Sequence, residues 1–516
     1  MRYVTFLNFY QTTLGAALSS TATTMPVSST TGLPSSLASG QFIPMTLTPD
    51  SSPGSAYEIV YVTGISGSTL TVTRGEEGTS ALSWNVGDIL YSTNTAGTTA
   101  PLEGPNFTGP VTSAGLITAN GGIDVSGGTA IVPPATASNQ AVNLGQMPYL
   151  TLEQFGGKAD GVTDNTSAYL SAVAALPSTG GKIVLGSGTY LFDSAVSFSF
   201  PASSYGLTIT GQGSGATTVF FKGGINGFSF KMNSPQNYIH FNGFSVTTDN
   251  SSTTNTVTAI EISQSVPEGS FLQSSFVDIS IYGNSGPANG EFWSYGIYAN
   301  GVSDINFIND IFYGTGGNSI GIFLTGNTSV SPYYGIVFNI TSCGFFGLNT
   351  GLVYGSYIQG VTVSQSNFTN CEYGIANDSN NIGNDQLAIN NSQFNVAETA
   401  INLQGNLNDL LLTGNMIIVG TSTSSFGVFL STGIRATIVG NDFEQGSGST
   451  VGNTGIIVSG AFTVGVVTGN VFQNLTYGVS LGTSTSGWNV QANVYNKVTT
   501  TVTNSGSGNS IGVATD

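Results

Sequence analysis

Charge is what this sequence has least of. Only 7% of its 516 residues are charged, against about a quarter in an ordinary globular domain. Helical enzymes rarely manage with so few, whereas a solenoid that pairs its polar groups in stacked rows can. Cations are scarcer still, with 8 Lys and Arg against 26 acids and a net charge of −18. Phosphate binding needs clustered cations, so nucleic acid is excluded as a partner. Between Lys231 and Lys497 the one cation is Arg435, which disfavours a densely anionic glycan and points to a neutral or weakly charged polymer. The two cysteines, Cys343 and Cys371, read as free core thiols of a chain assembled in a reducing cytoplasm. The one histidine, His240, reads as structural, and no metal site or cofactor is expected. No apolar run is long enough to span a membrane, and MRYVTFLNFY has no secretory apolar core. Membrane insertion and signal-directed export are therefore not expected.

What the chain does have is glycine, 71 copies, and a period. A small residue followed by an aliphatic recurs at Gly296-Ile297, Gly321-Ile322, Gly351-Leu352, Gly374-Ile375, Ala400-Ile401, Gly427-Val428, Gly455-Ile456 and Gly478-Val479. The intervals are 25, 30, 23, 26, 27, 28 and 23 residues. A second column holds Phe312, Phe345, Phe368, Phe394, Ile417, Phe443, Phe472 and Tyr495. Two columns in common register with elastic spacing predict stacked coils with variable loops, not leucine-rich repeats or propeller blades. Asn415, Asn441, Asn470 and Asn493 each stand two positions before a member of the second column. Residues two apart on a strand share a face, so these four predict an inward asparagine ladder. About a dozen coils at roughly 4.8 Å make a shaft on the order of 60 Å long.

Three segments organise the chain. Residues 1–98 alternate apolar and polar positions between turns, and YEIVYVTGISGSTLTVTRGEEGTSALSWNVGDILY reads as three or four short strands. Its Arg74, Gly75, Glu77, Gly78, Thr79 and Trp84 resemble the N-terminal module of phage tail fibres and tailspikes, which implies docking to a virion. Trp84 reads as core. Residues 99–148 form a connector in which APLEGPNFTGPVTSAG and ASNQAVNLGQM are similar to tail-fibre shaft repeats. A homotrimer follows from that resemblance. Residues 149–504 open with LEQFGGKADGVTDNTSAYLSAVAALPSTGGKIVLGSGTYLF. There Asp164 or Asn165 can cap a short helix whose Tyr169, Leu170, Val173 and Leu176 share one face. The string resembles the opening motif of the pectate-lyase-like tailspike family. That resemblance implies an all-β chain: a right-handed parallel β-helix with a short capping helix, preceded by a small β-rich attachment domain. Asp160 and Asp164 match acids of that motif and read as structural. Residues 505–516 are expected to be a C-terminal tail.

The family resemblance implies a phage tailspike that binds and depolymerises a host bacterial surface polysaccharide. Such a protein is made in the host cytoplasm, is carried on the virion tail and acts at the host cell surface. Glycosidic cleavage generally needs two carboxylates, so we searched the register for acids that approach one another. The position two before each small residue is polar throughout (Ser294, Ser319, Asn349, Glu372, Glu398, Ser425, Asn453, Thr476), which predicts a solvent-facing corner. Glu372 and Glu398 are neighbours in it, either an acid/base pair or two solvated glutamates. Asp442 and Glu444, outward on one strand about 7 Å apart, are a second candidate pair. Asp385, Asp409 and Arg435 form a third column, read as an inter-coil ion pair or as saccharide-binding groups. Asp278, Asp304 and Asp310 make a weaker cluster. Trp293, Tyr333 and Tyr334 lie in long insertions and either wall a groove by stacking on sugars or cover an interrupted core. Hydrolysis is the leading chemistry. A lyase and a non-catalytic receptor-binding fibre remain the alternatives.

Overall fold

The computed structural model describes residues 3–92, 94–95, 149–264, 272–286, 290–327, 335–420, 425–446 and 453–512. The expected connector at 99–148 lies outside them, as do Tyr333 and Tyr334. Contacts divide the chain into two compact units, 1–129 and 130–516.

The first unit is a seven-stranded, mostly antiparallel sheet, to which the stretch 57–91 contributes three strands and a bridge at Trp84, as expected. Gln41–Thr48, Glu58–Ser66 and Thr69–Glu76 form its centre, and Ile89–Ser92 pairs with Gln41–Thr48. Their alternating apolar residues, among them Ile43, Met45, Val60, Val62, Leu70 and Leu90, make one core with Trp84. Beside Trp84 sits a buried ion pair. Arg74 reaches Glu58 through Nε at 2.6 Å and Nη2 at 2.7 Å, and also donates to the carbonyls of Ser19, Ala22 and Leu82. Glu58 accepts further from the Trp84 indole and from the amides of Gly75 and Leu82. Burial pushes the Glu58 carboxyl up, and these donors more than offset it, leaving it below its ordinary value.

The second unit is a parallel β-solenoid whose strands pair three positions onward, so each turn visits three faces. The first face runs from Gly180–Val184 to Ser510–Ile511, the second from Gly188–Phe192 to Val494–Asn496, and the third from Val196–Ser199 to Thr500–Asn504. Ser510–Ile511 still pairs with Asn489 and Val490, so the ladder outlasts the boundary expected at 504. The helix Thr166–Ala174 and the 3-10 turn Glu153–Phe155 precede it. Asp164 Oδ1 accepts from the Thr166 amide at 3.0 Å and so caps the helix. Tyr169 and Val173 face the core as expected, but Leu170 is exposed and Ala168 and Ala172 complete the buried stripe.

Both sequence columns are rows of paired residues. Ile297, Ile322, Leu352, Ile375, Ile401, Val428, Ile456 and Val479 follow one another on the third face. The aromatic column lines the second face, with Phe345, Phe368 and Phe394 stacked at centroid spacings of 4.6 Å. The small residue is a packing requirement. A Cβ on Gly296 would meet the Gly321 carbonyl oxygen at 2.5 Å and the Phe312 ring at 2.8 Å. The ladder forms as well. Asn415, Asn441 and Asn470 each donate Nδ2 to the Oδ1 of the next asparagine, ending on Asn493, at 2.9 to 3.0 Å. Ser392, Ser366 and Cys343 continue that line upward through backbone amides. Cys343 and Cys371 are buried and free.

Candidate functional site

The corner between the second and third faces carries Glu372 and Glu398 on successive coils. Their backbones are joined directly, the Glu398 amide donating to the Glu372 carbonyl at 3.0 Å. Half of their column does not face solvent, contrary to the sequence expectation: Ser294, Ser319, Ser425 and Asn453 are buried. These side chains serve the backbone where the chain turns. Ser294 Oγ accepts from the Val257 amide, and Asn453 Nδ2 donates to the Gly420 carbonyl. A short polar group is therefore required at this corner whichever way it points. Glu372 and Glu398 replace the inward cap with half-exposed carboxylates.

Each glutamate is held from the preceding coil. Asn349 Nδ2 donates to Glu372 Oε2 at 2.5 Å, and the Tyr373 hydroxyl donates to Glu398 Oε2 at 2.6 Å. Thr350 Oγ1 donates in turn to Asn349 Oδ1, which fixes that amide's orientation. Donation to Glu398, burial and the charges of Glu398 and Glu372 push the Tyr373 phenol well above its ordinary value, so it stays protonated. Sequence reasoning missed Tyr373 and passed over Asn349, although both sit in the register beside the glutamates.

Two cavities meet at this corner. One of about 580 Å³ is lined by Phe323, Val353 and Tyr373 and by the amides of Asn377, Asn381, Asn402 and Gln404. The other, of about 380 Å³, is lined by Thr253, Asn255, Tyr295 and Asn318. Asn349 borders both. Tyr295, Tyr298 and Phe323 pack together on earlier coils, and Phe426 and Phe429 pair on a later one. Register places Tyr298, Phe323, Val353, Ala376, Asn402 and Phe429 in one outward row. The row is about 24 Å long at the usual strand spacing. Among the described residues no Lys or Arg lines either cavity.

Asp385, Asp409 and Arg435 do converge, on the first face. Arg435 grips Asp409 with two nitrogens, Nη2 at 2.5 Å from Oδ2. Those hydrogen bonds hold Asp409 below its ordinary value, while burial and the neighbouring Asp409 push Asp385 up. Two carboxylates driven apart in this way have the electrostatics of an acid and a base. A cavity of about 370 Å³ beside Asp409 is lined by Thr362, Gln386, Ala388, Leu411 and Thr437.

The other candidates separate. Asp442 and Glu444 are exposed on the second face and, like Glu372 and Glu398, line none of these cavities, but no described residue of a preceding coil clamps them; Glu444 accepts a 3.3 Å bond from Gln473 on the following coil. Trp293 does not wall a groove. It is 2% exposed, packs edge-on to Phe221 and donates to the Val246 carbonyl, because its insertion folds back over the core. Of the fourth cluster, Asp310 is buried in the ladder line, its Oδ1 accepting from the Ile279 amide and its carboxyl pushed well up by burial. His240 sits on the first face with Nδ1 2.7 Å from Ser275 Oγ, and burial lowers its pKa. No group of three or more metal-ligating side chains occurs among the described residues.

Known proteins share this architecture. Residues 151–376 match the family described as Rhamnogalacturonase A/epimerase, pectate lyase-like. Depolymerase 1, capsule KN3-specific, of Klebsiella phage KN3-1 is 41% identical over 81 residues, which are 15% of this chain and 10% of that protein. Among solved structures, the Dettilon tailspike protein superposes with a TM-score of 0.50 at 14% identity, covering 68% of each chain. Tailspike protein 3 of bacteriophage CBA120 gives a TM-score of 0.45 at 18% identity, covering 69% of this chain and 59% of that one. At 14% identity the likeness to the Dettilon protein is one of fold alone. Residues 151–376 thus match a pectate-lyase-like family model, and the chain shares a parallel β-solenoid fold with the Dettilon tailspike protein.

Proposed function

We propose that this chain is a bacteriophage tailspike that recognises and depolymerises a host surface polysaccharide (capsule, exopolysaccharide or O-antigen). It acts as an endo-hydrolase, with Glu372 and Glu398 as the cleaving carboxylates. The observation that carries the reading is the pair of adjoining cavities that share Asn349, the residue gripping Glu372. The larger cavity is walled by Asn349, which holds Glu372, and by Tyr373, which holds Glu398, so a polymer lying in it runs beside the residues that grip both acids. Aromatic rings and side-chain amides without cations suit a neutral glycan, whose sugar faces stack and whose hydroxyls hydrogen-bond. The capsule specificity of the Klebsiella phage relative supports a surface polysaccharide as the class of substrate. Attachment of residues 1–98 to the phage tail and a homotrimer complete the proposal, on the resemblance of residues 55–90 and 99–148 to tail-fibre modules.

Glu372→Gln and Glu398→Gln test it. Each is expected to abolish shortening of host polysaccharide, read by size-exclusion chromatography, while polysaccharide binding survives. Full activity in both variants sinks the assignment. Appearance of unsaturated uronate ends, read by their ultraviolet absorbance, replaces hydrolysis by a lyase reaction. Unchanged polymer length with the wild-type chain leaves a non-catalytic receptor binder. A second centre is favoured by one observation, the opposed shifts of Asp385 and Asp409. Loss of cleavage in Asp409→Asn with activity retained in the glutamate variants moves the chemistry there.

A further inference from the structure

An acid/base pair on a solenoid corner needs more than proximity. A glutamate has three side-chain torsions, and productive geometry has to be held to within roughly 0.5 Å. Among the described residues no Lys or Arg forms an ion pair with Glu372 or Glu398 that would orient it. Each is nevertheless fixed at one oxygen by a neutral donor one coil earlier, Asn349 for Glu372 and Tyr373 for Glu398.

We infer that Asn349 and Tyr373 are positioning residues for the cleaving pair, Tyr373 also supplying a wall of the glycan groove. The inference rests on the reading of Glu372 and Glu398 given above. The clamps repeat with the coil: Asn349 lies 23 residues before its glutamate and Tyr373 lies 25 before its own. Each clamp leaves the second oxygen of its glutamate for substrate or water. Tyr373 does two separable jobs. Its ring borders the larger cavity, and its hydroxyl engages Glu398. The phenol keeps its proton because deprotonation would place a phenolate against a carboxylate. Tyr373 is thus a donor, and the wrong group to abstract a proton as a lyase base.

Tyr373→Phe separates the two jobs, keeping the ring and deleting the clamp. On a polysaccharide that the wild-type chain shortens, kcat is expected to fall roughly ten- to a hundredfold, the scale of a misplaced catalytic group. KM is expected to stay within about twofold, since ground-state contacts survive. An unchanged melting temperature accompanies these changes if the role is positional. Wild-type kcat, with Glu398→Gln inactive, overturns the inference and leaves the cleavage reading standing. Full activity of Glu398→Gln instead removes the cleavage reading itself. Should Tyr373→Phe melt lower, Asn349→Ala decides: loss of kcat at constant KM supports the clamp, and wild-type kinetics overturn it.

Discussion

Among the described residues are two bidentate Arg–carboxylate pairs built in opposite surroundings. In the first unit Arg74 and Glu58 have side-chain exposures of 6% and 0%, and every donor and acceptor around them is used. In the solenoid Arg435 and Asp409 have exposures of 64% and 29%, and a third acid, Asp385, carries a raised pKa beside them. A buried charge is tolerated only when fully paired, so the first arrangement organises a fold. An exposed pair adds little stability, so the second is available for chemistry or binding. The same two functional groups therefore mean different things, and burial decides which.

The largest effect that would break this contrast is Glu58→Gln. It strands the Arg74 charge in the first unit's core and is expected to remove about 3–5 kcal/mol, the usual result of deleting one partner of a buried pair. Chemical denaturation followed through Trp84 fluorescence reads it. An unchanged midpoint would mean that Glu58 is not the hub. The pair also sets a pH dependence: the folded pKa of Glu58 is depressed, so its contribution is present above the ordinary carboxylate pKa and lost as pH falls.

A middle-sized effect, of opposite pH sign, is expected in the solenoid. Asp310 is buried with its folded pKa well above 3.8. Above that value the unfolded chain releases a proton that the folded chain retains, so stability falls as pH rises. Asp310→Asn removes that slope and extends the asparagine line, so the variant is expected to melt higher at neutral pH. The gap should widen from about pH 4 upward. Parallel melting curves across pH would show Asp310 to be ionised in the fold.

The smallest effect is expected from Arg435→Gln. Thermal melting should stay where it is, and cleavage should persist if Glu372 and Glu398 are the working pair. Collapse of activity together with a shifted pH profile would promote Asp385 and Asp409 over the glutamates.

Legibility in the sequence followed periodicity. The rows from Ile297 to Val479 and from Phe312 to Tyr495, and the ladder from Asn415 to Asn493, could be read because each coil repeats the same packing problem at nearly the same spacing. Glu372 and Glu398 were found for that reason, and so was the Asp409–Arg435 pair. Glu58 was not, because its partners lie 16 and 26 residues away and antiparallel pairing joins them without any repeat. Trp293 could be read either way because an insertion has no register of its own, and only folding reveals that it returns to the core.

Composition and spacing by themselves determined the solenoid, its columns and the scarcity of cations that points to a weakly charged glycan. These depend on backbone periodicity and net charge, which are additive along the chain. Tertiary structure decided which polar corner residues turn inward to serve the backbone, which carboxylates a neighbouring coil clamps, and where two cavities join. Those outcomes depend on side-chain direction and burial at a corner, where a single torsion moves a carboxylate from cap to groove and no residue pattern records the choice.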